Sequence, residues 1–558
     1  MSENVYGIDL GTTYSCLAGF NEDGKIVVFE NDQMETTTPS VVWFNGLRGR
    51  TATVGAAAKE QAAVSPEAVV SCIKRKMGTS EETMQGGQKL LPEMVSALIL
   101  KKLVKDAKIK EKKPKVVITC PAYFGDSGRQ ATKIAGELAG LEVLSIINEP
   151  SAAAFSYGME QNDLKGKDVL VFDLGGGTFD ATVLRIGEDI RVIATGGDGY
   201  LGGRDWDEAI AHLFIERFCD ATGYDRGKAE NDAGFLAEMV VLAEKRKRQL
   251  TRAQKVKVAI EKYGRTCSFE FTRDEFDAQT AGSLESAISA TKTVLEEARM
   301  KDRSFRPEDM EILMVGGSTL MPQVAVALER AFGIVPKSYK PHEAVARGAA
   351  LYARQAQEIE KVKARHGNPD DLFLGGEVRD NLFLGGDVRG DARGAGEGQG
   401  KFKRIRNVTS KSYGVRYYDS QTDRQGYVVN VIPKNTEIPF KPELGGEVGE
   451  SHSWTLFPNQ TEVLFEVYEN EDMSLRKRLD LDYCNRLGAM TLTGLPGGRP
   501  AGQACTIFME LSDEGLLHAW GIHDETGKRC DVTIQTEGVL SEEEIEDSQA
   551  IVDSFKVE

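Results

Sequence analysis

One local phrase occurs twice in the chain, and that pairing limits the fold more than any other feature. "VYGIDLGTTYSCLAGF" runs an apolar segment into Asp9, turns through Gly11, Thr12 and Thr13, and resumes as a second apolar segment. "VLVFDLGGGTFDATVLRI" repeats that grammar from Asp173 through Gly175, Gly176, Gly177 and Thr178. Apolar runs joined by glycine turns predict hairpins, and "KIVVFEN" and "DIRVIATGG" continue each as a further strand. Glycine lets a backbone come close enough for amide N–H groups to face phosphate oxygens, and threonine hydroxyls add donors there. A carboxylate at each strand end suits a hydrated magnesium ion. One copy alone could be a plain hairpin. Two matched copies point to related halves facing each other across a cleft.

Longer phrases carry a resemblance: "VITCPAYFGDSGRQATKIAGELAGLEVLSIINEPSAAAFSYG", "VFDLGGGTFDATVL", "GGDGYLGGRDWD" and "ILMVGGSTLMPQV". Together they resemble the ATPase domain of the seventy-kilodalton heat-shock chaperones of the DnaK type, within the actin and sugar-kinase superfamily. The resemblance spans most of residues 4–355. It implies an α/β actin-like ATPase domain over 1–366, made of two ribonuclease-H-like halves around a nucleotide cleft. ATP or ADP would be the ligand, with Mg2+ and K+ as accompanying ions.

Carried over by position, the resemblance places Asp9 and Asp173 in the magnesium shell, largely through water. Gly11, Thr12, Thr13 and Tyr14 would wrap the β- and γ-phosphates, with Gly175, Gly176, Gly177 and Thr178 as the second phosphate loop and Asp180 nearby. Lys74 in "CIKRKMG" and Glu149 in "INEPSAAA" match groups beside the attacking water, so Lys74, Glu149, Asp173 and Thr178 form the expected catalytic set. Read without the resemblance, Lys74 is a solvated basic helix end and Glu149 a helix-start carboxylate before Pro150.

For the nucleoside, "LAEKRKRQLT" puts Glu244, Lys247, Arg248 and Thr251 on one helix face. In the resemblance that face grips the ribose and stacks a cation on adenine. Gly202 and Gly203, with Gly316, Gly317 and Ser318, would bring backbone against sugar and base. Three residues depart from the family pattern: Leu320 where a second arginine is usual, Arg204 in place of an acid, and His342 in place of aspartate. Pro121 and Arg129 match the pair that relays nucleotide state outward.

From about residue 401 the periodicity changes. "KSYGVRYYD", "GYVVNVIP", "HSWTLFP", "TEVLFEVYEN", "ACTIFMELS", "LLHAWGIHD" and "CDVTIQ" alternate and are separated by turn signals, which predicts an all-β antiparallel sandwich over 401–540. "IPKNTEIP" and "TGLPGGRPAG" resemble the chaperones' peptide-binding domain. That likeness makes Val415, Val463 and Phe465 a peptide pocket, with Tyr418 and Leu456 near its arch; the plain alternative for each is core packing. "LSEEEIEDSQAIVDSF" resembles the first turns of the family's helical lid, with Ser541 as N-cap, so 541–558 is expected to be the start of a truncated lid. The stretch "DLFLGGEVRDNLFLGGDVRG", a phrase set down twice, falls in an expected flexible linker over 367–400. One Leu-Phe-Leu copy could dock on the ATPase domain, or the whole could be a passive spacer.

A formal net charge of −17 argues against a general nucleic-acid or anionic-membrane binder. Eight singly placed cysteines fit neither a disulfide framework nor a zinc site, so a cytoplasmic setting is expected. The function expected is an ATP-dependent chaperone of the stress response that binds extended apolar peptides, with J-domain and nucleotide-exchange partners implied by the resemblance. Two alternatives stand beside it: a nucleotide-binding scaffold or sensor that does not cycle on clients, and a small-molecule kinase on the same fold.

Overall fold

The computed structural model describes residues 4–45, 50–85, 87–160, 166–366, 404–419, 425–443, 446–475, 477–512, 515–533, 540 and 542–558. The duplicated phrase and Ser541 lie outside the described residues.

Each Asp-Leu-Gly phrase forms the central hairpin of a mixed sheet. In the first, Val5–Asp9 pairs parallel with Lys115–Cys120, which pairs parallel with Glu142–Asn148. On its other side Val5–Asp9 pairs antiparallel with Tyr14–Phe20, and that strand with Ile26–Val28. The second sheet repeats the plan around Lys167–Leu174. Glu311–Val315 and then Lys337–Ser338 lie parallel on one side, and Phe179–Ile186 and Ile190–Asp198 antiparallel on the other. Helices Glu149–Glu160 and Ala344–His366 pack together, Ala344–His366 on the first sheet and Glu149–Glu160 in contact with both sheets. Their crossing is close enough that a Cβ on Gly348 would fall 1.8 Å from the Ala152 carbonyl oxygen.

Beyond the second sheet an aromatic core gathers Trp206, Phe214, Phe218, Phe235, Phe271 and Phe276 between helices Gly203–Thr222, Ala233–Leu250 and Arg273–Lys301 and the hairpin Lys255–Thr272. Burying each such ring contributes about 1.5–3 kcal/mol, which holds the long helix Ala233–Leu250 where its last turn faces the cleft.

The later part of the chain holds two four-stranded antiparallel sheets. One runs Tyr427–Ile432, Ser412–Tyr417, Glu462–Asn470, Asn485–Thr493; the other runs Glu450–Trp454, Ala504–Leu511, Leu517–His523, Lys528–Thr533. Tyr413, Val431, Met490, Ile507 and Met509, drawn from both sheets, share one buried cluster.

This β part is joined to the second sheet by a strand. Ile405–Arg406 pairs parallel with Ile190–Asp198, extending that sheet at its edge. Side chains reinforce the junction. Ser151 Oγ donates to Asn407 Oδ1 at 2.8 Å, and Ser410 Oγ to the Phe124 carbonyl at 2.9 Å. The Leu517 N–H donates to Asp126 Oδ1 at 3.1 Å. The turn 433–436 inserts Lys434 and Asn435 toward helix Arg273–Lys301, where both bond Glu297, at 3.2 and 3.0 Å.

The chain then forms helix Glu542–Asp553 and a two-residue strand, Lys556–Val557, that pairs parallel with Thr51–Val54. No described helix is long and apolar enough to cross a membrane.

Candidate functional site

The two glycine turns meet. A Cβ on Gly176 would lie 2.0 Å from Thr13 Oγ1, and one on Gly177 would lie 2.2 Å from Thr12 Cγ2. The second turn is closed by the Gly175 N–H donating to the Thr178 carbonyl at 3.1 Å. Thr12 Oγ1 and Thr13 Oγ1 are buried and have no hydrogen-bond partner. Buried hydroxyls without partners are rare in folded proteins, because leaving one unsatisfied costs about 1–3 kcal/mol.

Around these turns the fold collects charge. Asp9 ends its strand, Asp173 sits near the end of the equivalent strand, Asp180 begins the return strand, and Glu149 starts its helix. Lys74 lies in a short 3-10 turn, Ile73–Lys76, and is 3% exposed, so it is not a solvated helix end. Its ammonium bonds Glu149 directly. Burial would pull the Lys74 ammonium down, but Glu149 and Asp9 outweigh it and hold it above the usual lysine range. Desolvation, then repulsion from Glu149, lifts the Asp9 carboxyl to about 7 against the pull of Lys74. Burial and the neighbouring carboxylates push Asp173 and Asp180 well up. Acids crowded out of water in this way mark a site that prefers an added positive charge. Among the described residues no three His, Cys, Asp or Glu groups converge as direct metal ligands.

The other end of the cleft is built on the last turns of Ala233–Leu250. Glu244 accepts from Tyr14 Oη at 2.5 Å and is bonded by Lys59 from helix Ala56–Gln61. Lys247 Nζ donates to the Gly203 carbonyl and to Asp207 Oδ2, both at 2.7 Å. Ser318 Oγ donates to the Gly175 carbonyl at 2.8 Å, which ties this end to the second turn. Gly202 packs against the Gly176–Gly177 backbone, and Gly316 lies beside Leu174 and Asp173 Oδ1. A cavity of about 850 Å³ opens here, lined by Arg248, Thr251, Gly317, Leu320, Met321 and His342. Burial, then Arg248, holds His342 below the ordinary imidazole range. Arg204 turns to Glu208, 2.9 Å away.

Sequence reasoning missed two cations that tie the halves together. Lys59 bridges to Glu244 and Tyr14, and Arg75 reaches the Gly177 carbonyl at 2.9 Å and Asp205 at 2.8 Å. Neither stands in a motif; the signal available was only that "IKRK" follows a strand in the first half.

In the β part, Val415 and Phe465 are 1% and 2% exposed and belong to the core shared by the two sheets. Val463 is half-buried against that core, Tyr418 lies under the Arg416 guanidinium, and the Leu456 N–H donates to Gln460. Trp454, Phe457 and Leu464 are exposed large apolar side chains in the same region. Pro121 caps the turn through which Arg129 is presented: its carbonyl accepts from Phe124 N–H at 3.2 Å, and Arg129 bonds Asn148, next to Glu149.

Comparison with known proteins gives a consistent result. The family model described as "Hsp70 protein" matches residues 5–89 and 81–364. A relative from Thermotoga neapolitana, "Chaperone protein DnaK", is 35% identical over 555 residues, covering 97% of this chain and 82% of the relative. One of the same name from Thermosipho melanesiensis is 34% identical over 569 residues, covering 100% of this chain and 84% of the relative.

Proposed function

The chain belongs to the Hsp70 family of ATP-dependent chaperones and is an ATPase, and from that premise we propose how its residues divide the work. The two mixed sheets act as ribonuclease-H-like halves of an actin-like domain. The two later sheets act as a sandwich that takes extended apolar segments of unfolded polypeptides.

The observation that carries the site reading is the meeting of the two turns, with Thr12 and Thr13 hydroxyls buried and unpartnered between them. A triphosphate supplies the acceptors these hydroxyls lack. Gly11, Tyr14, Gly176 and Gly177 offer backbone to the same phosphates, Gly175 closes the loop through its bond to Thr178, and Asp180 lines it. The carboxylates of Asp9 and Asp173 suit Mg2+ held largely through water and phosphate. Magnesium there would neutralise phosphate charge, and K+ would accompany it on the same grounds. Lys74 and Glu149 hold and orient the attacking water, and Thr178 positions the γ-phosphate. Such a site works by placement and charge more than by covalent chemistry.

Glu244, Lys247, Gly203 and Ser318 meet the ribose, while Arg248 and Thr251 meet the base in the cavity. Leu320, 41% exposed, gives that cavity an apolar wall where the family resemblance leads one to expect a second arginine. For the peptide, half-buried Val463 and the exposed Trp454, Phe457 and Leu464 are better placed than Val415 and Phe465, whose side chains fill the core. Arg129, Asn148 and Asp126 link the β part to Glu149, so peptide and nucleotide each bias the other reciprocally. J-domain and exchange-factor partners, and a cytoplasmic setting for eight free cysteines, complete the proposal.

Steady-state ATPase with and without an extended apolar peptide tests it. Peptide is expected to raise turnover in the wild type. Lys74→Ala is expected to lower turnover by about 10²–10³-fold with ATP still bound, the scale for losing one aligned electrostatic group. ATP binding with a rate that ignores peptide would instead mark a non-cycling scaffold.

A further inference from the structure

The last described segment, 542–558, is built into the first half of the molecule as a structural element. Three backbone hydrogen bonds seat its strand on Thr51–Val54. The Lys556 N–H donates to the Arg50 carbonyl at 2.8 Å, the Glu558 N–H to the Ala52 carbonyl at 2.9 Å, and the Val54 N–H to the Glu558 carbonyl at 2.9 Å. Between helix and strand, Phe555 enters the same buried cluster as Tyr6, Ile8 and Ile118, and meets Phe44 edge-on at 5.4 Å. Val552 is 1% exposed in that cluster. Polar contacts fix the helix in register. Asp553 pairs with Lys101 at 2.6 Å, Arg50 donates to Ser554 Oγ at 2.8 Å, Lys105 Nζ to the Val557 carbonyl at 2.9 Å, and Gln549 to the Leu138 carbonyl at 3.1 Å. Nothing in this set touches the two β-part sheets.

A surface-docked helix can leave by exposing one face. For this segment leaving costs more, because its departure strips a strand from a sheet, opens the space that Phe555 fills beside Phe44, and leaves the Thr51–Val54 edge unpaired. We infer that residues 542–558 are a fixed strap of the ATPase half, seated in both the ATP- and the ADP-bound molecule, so that client exchange is set by the β part without a cover from this segment. The second clause rests on the chaperone reading; the first does not.

Hydrogen exchange on the full chain tests it, following the amides of Val54, Lys556 and Glu558 with ATP, and with ADP plus an extended apolar peptide. Their exchange is expected to agree between the two states within about fivefold; a larger acceleration with ADP and peptide overturns the strap. Phe555→Ala is expected to speed exchange at Val54 by at least about tenfold in both states while peptide dissociation stays within about twofold. A larger change in peptide dissociation overturns the inference, because the segment would then act at the client. If peptide fails to bind at all, the chaperone reading fails, and the comparison of ATP with ADP still decides whether the strap holds.

Discussion

Single residues show where sequence is eloquent and where it is silent. Asp9, Asp173 and the glycines between them and their threonines could be found because a close backbone approach admits few residue types. Lys59 and Arg75 could not, since a cation that bridges a cleft needs only reach, and reach leaves no spacing in the chain. Glu93 is another silent case. It follows Pro92 at the start of helix Pro92–Asp106, is 0% exposed, and its carboxylate oxygens lack partners. Burial raises its pKa from 4.5 to about 7, opposed only by its own backbone N–H. A carboxyl raised on folding favours the native state most below its unfolded value, and that advantage is lost as pH climbs through the folded one. Stability should therefore fall between about pH 4.5 and 7 on account of this group. Glu93→Gln should flatten that slope, and a series of melting temperatures from pH 5 to 8 should show the variant gaining on the wild type by about 2–3 kcal/mol at the alkaline end.

At the scale of elements, alternation revealed most of the β part but missed Asn485–Thr493. The strand carries its own bulge, with Leu487 as the extra residue between the pairs Val467–Gly488 and Tyr468–Arg486, so Leu487 is buried out of phase with Met490 and Leu492 and a strict two-residue period never forms. Lys556–Val557 and Ile405–Arg406 are too short to carry any period, and both owe their conformation to the sheet edges that receive them. The turn that carries Asn435 shows what such a junction does. Asn435 has φ +65°, accepts from the Thr195 N–H and donates to Glu297, so one side chain secures two elements of the ATPase half. Asn435→Ala should weaken this junction by about 1–3 kcal/mol. Basal turnover should be kept and stimulation by peptide should drop severalfold, as read by paired ATPase assays with and without peptide.

For the whole molecule, a ligand that bridges both halves should stabilise them together. Saturating Mg–ATP at about a hundred times its Kd should add about 2.7 kcal/mol, visible as a rise in melting temperature that Thr178→Ala diminishes. The plan of two related halves was legible because each has its own copy of the turn; their packing against the β part was not, since that surface is made of single side chains such as Asp126, Ser151 and Glu297. The direct touch between Gly176–Gly177 and Thr12–Thr13 has one more consequence. With the Thr12 and Thr13 side chains already against the bare glycine backbone, one added methyl group works as a doorstop. Gly177→Ala would prop the cleft ajar, and it should penalise the triphosphate, which both jaws must grip, more than the diphosphate it becomes.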